Sequence, residues 1–109
     1  MKKLVKFTTK EVVKEVEKEI ELPAYFCMGD SLPSEADYGQ YFSSVVKISD
    51  PEKRGVSISA SHKFGGDEGN TYDFARSCHT NTEVVEKWKQ VPESEWLKAV
   101  EFVKRDIDN

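Results

Sequence analysis

The side chains best suited to chemistry at neutral pH are Cys27, His62, Arg76, Cys78 and His79. His62 interrupts an otherwise apolar parity, because Val56, Ile58, Ala60, His62 and Phe64 alternate with Ser57, Ser59, Ser61 and Lys63. One reading makes it a neutral imidazole between Phe42 and Phe74, its nitrogens satisfied by backbone or water. The other makes it a pocket-lining acid/base or ligand-binding group. Arg76 has the parity of Phe74 and either snorkels to the sheet edge or holds a carboxylate or phosphate beside His62. With Phe42 and Phe74 as walls, His62 and Arg76 would suit an anionic small molecule.

The same atoms make poor metal or nucleophile sets. No two Cys or His ligands occur at C-x-x-C or H-x₃-H spacing, so no metal site is expected. Neither a Cys–His nucleophilic pair nor any other catalytic constellation has a sequence signature here. Gly65–Asn70 is rich in glycine but lacks the following Lys-Ser/Thr of a phosphate-binding loop, and Asp67 and Glu68 fit no calcium-loop spacing. The sequence implies no cofactor, and enzyme activity is the least favoured class.

The elements that must position these residues follow from periodicity. Phe42, Val46 and Ile48 share one parity, and Asp50-Pro51-Glu52-Lys53-Arg54-Gly55 is a turn. After the second turn, Tyr72, Phe74, Arg76 and Cys78 alternate with Thr71, Asp73, Ala75 and Ser77. This predicts a three-stranded meander over Tyr38–Cys78 with all the apolar parities on one face. In that register Ile48 lies opposite Val56, Val46 opposite Ile58, and Phe42 opposite His62. Across the second hairpin, Phe64 faces Tyr72, His62 faces Phe74, Ala60 faces Arg76 and Ile58 faces Cys78.

Lys3–Phe7 reads as a short edge strand. Lys10–Leu22 is either a helix, with a capping box at Thr8 and Glu11, or a strand. The strand is preferred, because the helix stacks Lys10–Lys14–Lys18 and Glu11–Glu15–Glu19 four apart. As a strand it puts Val16, Ile20 and Leu22 on one face and Glu15, Glu17, Glu19 and Glu21 on the other. Gly29–Gly39 is a long loop. Thr82–Val91 is a short helix or a final strand. Pro92 then opens a helix whose face is Trp96, Ala99, Val100, Val103 and Ile107.

The 109 residues leave room for one α+β domain: an antiparallel sheet of four to five strands with the C-terminal helix packed on one face. The net charge of −4 disfavours a nucleic-acid backbone binder, although basic residues can still cluster locally. No apolar run reaches membrane-spanning length and none follows the start as a signal core, so a cytoplasmic location with reduced cysteines is expected. Tyr25, Phe26, Tyr38, Tyr41 and Phe42 flank the long loop, and an exposed subset would anchor a protein partner. The row of Glu17 and Glu19 is either a solvated face or a second element of that surface. An uncovered edge strand would also permit a homodimer.

The segments Glu17–Tyr25 and Trp88–Trp96 resemble segments of short, mostly uncharacterised proteins carried by bacteriophages and mobile elements of gut bacteria. In such chains an acidic strand comes first and a strand-turn-helix closes the domain. The resemblance implies a phage or mobile-element accessory protein, inhibitors of host defence included. It carries no catalytic motif and no functional residue. The residues themselves favour a non-enzymatic interaction or regulatory protein that meets another protein through Ala24–Gln40 and the acidic first element, ahead of the anionic-ligand reading.

Overall fold

A computed structural model describes residues 3–11, 14–62 and 70–108. The elements run β1 (Lys3–Glu11), β2 (Lys14–Leu22), β3 (Ala24–Cys27), β4 (Val45–Ile48), β5 (Val56–His62), β6 (Asn70–Arg76), α1 (Asn81–Lys87), β7 (Lys89–Val91) and α2 (Glu93–Asp108). β1 and β2 form a separate antiparallel hairpin, so Lys10–Leu22 is not one strand: Lys10 and Glu11 end β1, β2 starts at Lys14, and the capping-box helix is not formed. The other five strands make an antiparallel sheet in the order β6-β5-β4-β3-β7. Thr82–Val91 contains both predicted alternatives, helix α1 and then strand β7. No helix among the described residues is long and apolar enough to cross a membrane.

Two cores lie on opposite faces of the five-stranded sheet. On one, Tyr25, Cys27, Val45, Ile58 and Tyr72 pack against Trp96, Ala99 and Phe102 of α2. On the other, Ala24, Phe26, Val46 and Ile48 are covered by Phe7, Ile20 and Leu22 of the hairpin and by Val84 and Val85 of α1. β3 therefore has no solvent face, and β4 has none except at half-buried Lys47, so both read as nearly continuous apolar runs. β5 alternates because only its Ile58 face is covered in this way, its serines lying on the face opposite Ile58.

This second core corrects the predicted first hairpin. Val45 lies opposite Ile58, Val46 opposite Ser57 and Lys47 opposite Val56, one residue out of the expected register. Val46 and Ile48 consequently face the β1–β2 hairpin and not α2. Phe42 still reaches the α2 side because residues 41–44 are not regular strand. The second hairpin keeps the predicted sidedness but is displaced by four residues: Ile58 lies opposite Phe74, Ala60 opposite Tyr72 and His62 opposite Asn70. That register puts Tyr72 where its ring stacks on Phe42 at 5.3 Å and on Phe102 at 4.9 Å. The backbone N–H groups of Asn70 and Tyr72 then donate to the Gly39 carbonyl and to Asp106 Oδ2. The expected pairing of Phe64, and the turn after it, lie outside the described residues.

α2 begins after Pro92 as predicted, but its buried stripe is Glu95, Trp96, Ala99 and Phe102. Val100 and Val103 are half-buried on the flank, and Ile107 is 77% exposed. Buried carboxylate oxygens on this helix find partners. Ser34 donates from its backbone N–H and from Oγ to the two oxygens of Glu95, at 2.9 and 2.7 Å. Asp106 accepts from the Tyr38 hydroxyl and from the Tyr72 backbone N–H.

Two measurements test this packing. Phe102→Ala should cost about 3–5 kcal/mol in urea unfolding, because a fully buried ring in a three-ring stack is removed. The Tyr25 hydroxyl donates to Glu93 Oε2 at 2.8 Å. Burial first, and then that carboxylate, push its pKa from 10.0 up to about 12. A phenol raised in the folded state contributes stability below pH 10 that is lost as pH rises towards 12. Burial also raises the Tyr72 pKa, so ultraviolet titration should show late phenolate steps, of which the one near pH 12 is lost in Tyr25→Phe.

Candidate functional site: a cationic cleft at one end of the sheet

The strand register builds a row across all five strands on the α2 face: Val91, Tyr25, Lys47, Val56 and Arg76. The next row, Lys89, Cys27, Val45, Ile58 and Phe74, lies under the start of α2, where Trp96 meets the Phe74 ring at 6.2 Å. The helix does not extend over the Lys47–Val56–Arg76 part of the first row. There a cleft of about 170 Å³ opens, lined by Lys47, Val56 and Arg76 from the strands and by Ser49, Asp50, Lys53, Arg54 and Gly55 from the β4–β5 turn. The lining thus carries four basic residues and one acid in a chain whose net charge is −4.

Backbone contacts hold the two guanidinium groups. Arg76 donates from Nη1 to the Arg54 carbonyl at 2.9 Å, and Arg54 donates from Nη1 to the Cys78 carbonyl at 2.8 Å. Each keeps further N–H donors free of the main chain. No ion pair joins Lys47, Lys53, Arg54 or Arg76 to a carboxylate among the described residues. Asp50 is committed on one side only, its Oδ1 accepting the Glu52 backbone N–H at 2.9 Å. Gly55 allows β5 to approach β4 here, since a Cβ at this position would lie 2.5 Å from the Lys47 carbonyl oxygen.

The turn itself is fastened from α1. Asn81 is buried, and its Nδ2 lies 3.1, 3.1 and 2.9 Å from the carbonyls of Asp50, Pro51 and Lys53. α1 is in turn fixed by a capping box in which Thr80 Oγ1 accepts from the Glu83 backbone N–H and Glu83 reaches back to Thr80. A hydrogen bond from His79, with the Thr80 contacts behind it, holds the Glu83 carboxyl below its ordinary pKa. A second groove of about 260 Å³ adjoins the cleft and shares Lys53 and Arg54 with it.

The residues of the expected ligand site are not brought together. Arg76 lies opposite Val56 and His62 opposite Asn70, six residues apart along β5, or about 20 Å. The two are not brought together, and the His62 side chain lies outside the described residues. Phe42 is fully buried in the stack with Tyr72 and Phe102 and lines no pocket with Arg76. Phe74 is 56% exposed, on the row next to Arg76.

Of the aromatics expected to meet a partner, Tyr25 and Phe26 are core residues, because the chain packs both faces of β3. Tyr38 is half-buried, bonded to Asp106 and covered by Arg105 at 5.2 Å. Tyr41 is 61% exposed. Glu17 and Glu19 are exposed as expected, opposite Thr8 and Lys6 of β1. Cys27 is buried and Cys78 exposed, beyond the end of β6 and not inward. Burial pushes the Cys27 thiol up, away from a reactive thiolate. Cys78, His79 and Trp88 line a shallow groove of about 60 Å³, the smallest of the three described. Among the described residues, no three His, Cys, Asp or Glu side chains are placed to hold a metal ion.

Lys47, Lys53 and Arg54 were not singled out in the sequence, where the last two belong to a turn. The available signal was a Lys-Arg pair in a turn that follows a lysine on β4, with Arg76 two strands away. No family model, curated protein or solved structure matches this chain.

Asn81→Ala should lower stability by about 1–3 kcal/mol, since three turn carbonyls lose their donor, and should broaden the amide resonances of residues 50–54 in NMR spectra.

Proposed function

We propose that this protein is a non-enzymatic binding protein that captures a small oxyanion in the Lys47–Arg54–Arg76 cleft. The observation that carries the reading is one cleft lined by four basic residues with no counter-ion pair among the described residues, two of them already oriented by backbone carbonyls. Charge-assisted hydrogen bonds from fixed guanidinium groups are the strongest ordinary means of holding phosphate or carboxylate. Pre-anchoring lowers the rotamer entropy lost on binding. The lining holds neither a histidine nor a cysteine, and its one carboxylate supports the turn, which favours capture over catalysis.

Titration with inorganic phosphate at low ionic strength, followed by NMR, is the direct test. Saturable shifts are expected at residues 47, 53–56 and 76, with no equivalent response to chloride at matched ionic strength. Arg76→Ala combined with Arg54→Ala should weaken binding at least roughly tenfold, the loss of one or two charge-assisted bonds. Shifts spread evenly over all surface lysines would count against a defined site.

A second reading has its own observation. The β1–β2 hairpin hydrogen-bonds to no strand of the larger sheet among the described residues, and it displays Glu17, Glu19 and Glu21 beside Lys6 on its outer face. Such a face suits a protein partner with basic groups, in keeping with an accessory or inhibitory role. Charge reversal at Glu17 and Glu19 should then abolish partner capture and leave the phosphate titration unchanged.

A further inference from the structure

The cleft contains a feature that a general anion site would omit: a carboxylate among its cations. Asp50 lines the cleft beside Lys47, Lys53, Arg54 and Arg76. Its Oδ1 is held by the Glu52 backbone N–H at 2.9 Å, and its backbone carbonyl accepts from Asn81, so the side chain is fixed at both ends. Oδ2 has no hydrogen-bond partner among the described residues. An ionised carboxylate can only accept hydrogen bonds. It therefore repels a fully deprotonated oxyanion but bonds well to one that still carries an O–H.

We infer that the cleft selects a protonated tetrahedral oxyanion, monohydrogen phosphate, and rejects sulfate of the same size and charge. The cations bind the unprotonated oxygens, as any dianion would allow. The remaining O–H donates to Asp50 Oδ2. Sulfate at neutral pH has no proton to give, so one of its oxygens would face the carboxylate and an unpaired acceptor would meet another acceptor. A site built to hydrogen-bond a ligand O–H discriminates strongly against the analogue that lacks it, because the buried partner is left unpaired. Asp50 is half-buried and not sealed from water, so a moderate selectivity is expected. By the same chemistry the cleft favours free phosphate over a phosphate monoester dianion, whose fourth oxygen is already substituted. Ser49, also in the lining, donates and accepts equally and does not alter the choice.

This inference rests on the oxyanion reading above, and the experiment separates the two. Isothermal titration of the full chain at pH 7.5 would compare inorganic phosphate, sulfate and glycerol 3-phosphate at one ionic strength. Phosphate should bind at least roughly tenfold tighter than either competitor. Asp50→Asn keeps the oxygen that caps the Glu52 N–H and replaces the other with a donor. It should strengthen sulfate binding and bring the phosphate-to-sulfate ratio close to one, with an unchanged melting temperature. Equal affinity for phosphate and sulfate in the native chain, or an unaltered ratio in Asp50→Asn, would overturn the selectivity and leave the oxyanion site standing. Failure of all three anions to bind would overturn both.

Discussion

The structure depends on β3 and β4 being buried on both faces. Val45 and Val46 are adjacent and both fully buried, yet one meets α2 and the other the β1–β2 hairpin. The same holds for Phe26 and Cys27 one strand away. A slip of one residue would exchange Tyr25 and Cys27 with Ala24 and Phe26 between two cores of different shape. Neither core could absorb that without voids on one side and overlaps on the other. Register in the middle of the sheet is fixed by volume on both sides, and the outer strands inherit it.

That inherited register decides where charge appears. Lys47 continues the α2-facing parity of Val45, and Arg76 continues that of Phe74. Their positions are set by the apolar residues two places before them. What leaves them open to a ligand is where α2 begins. The helix is held along the sheet by polar contacts, Tyr25 to Glu93, Ser34 to Glu95, and Tyr38 and Tyr72 to Asp106. These contacts also explain why the eleven residues of Gly29–Gly39 are ordered against the helix: Ser34 and Tyr38 both belong to that loop.

The sequence made the class of fold legible, together with the early acidic strand, the meander and the start of the last helix, because alternation and capping are local signals. It did not reveal the second core, since Val45-Val46 offers no alternation from which to choose a face. A parity had to be assumed for Phe42, and the irregular backbone at 41–44 broke it. The helix face was misread for a related reason. Trp96, Val100, Val103 and Ile107 form the more apolar line, but the buried stripe is rotated roughly 80° from it, at 100° per residue. Glu95 and Asp106 lie on the buried side, and no pattern of hydrophobicity assigns carboxylates to an interior. Their partners, Ser34 and Tyr72, are 61 and 34 residues distant in the chain. Arg76 was legible as a candidate, but the other basic residues of the cleft lining were not. Lys47, Lys53 and Arg54 become neighbours only once the one-residue shift in β4 is known.

The cost of the cationic cleft bears on its meaning. Two unit charges 8 Å apart in water repel each other by about 0.5 kcal/mol, and more where solvent is partly excluded. Several such pairs in one cleft oppose folding by an amount comparable to a helix cap or a surface hydrogen bond. The chain has carboxylates in excess, 20 against 16 basic residues, yet none is paired with these four cations among the described residues. Arg54 and Arg76 instead spend donors on carbonyls, which fixes their direction without neutralising them. Asp50, the one acid within reach, supports the turn through one oxygen. Under the proposed function, an anion entering from outside offsets that repulsion, meets donors already oriented and stabilises the fold by mass action.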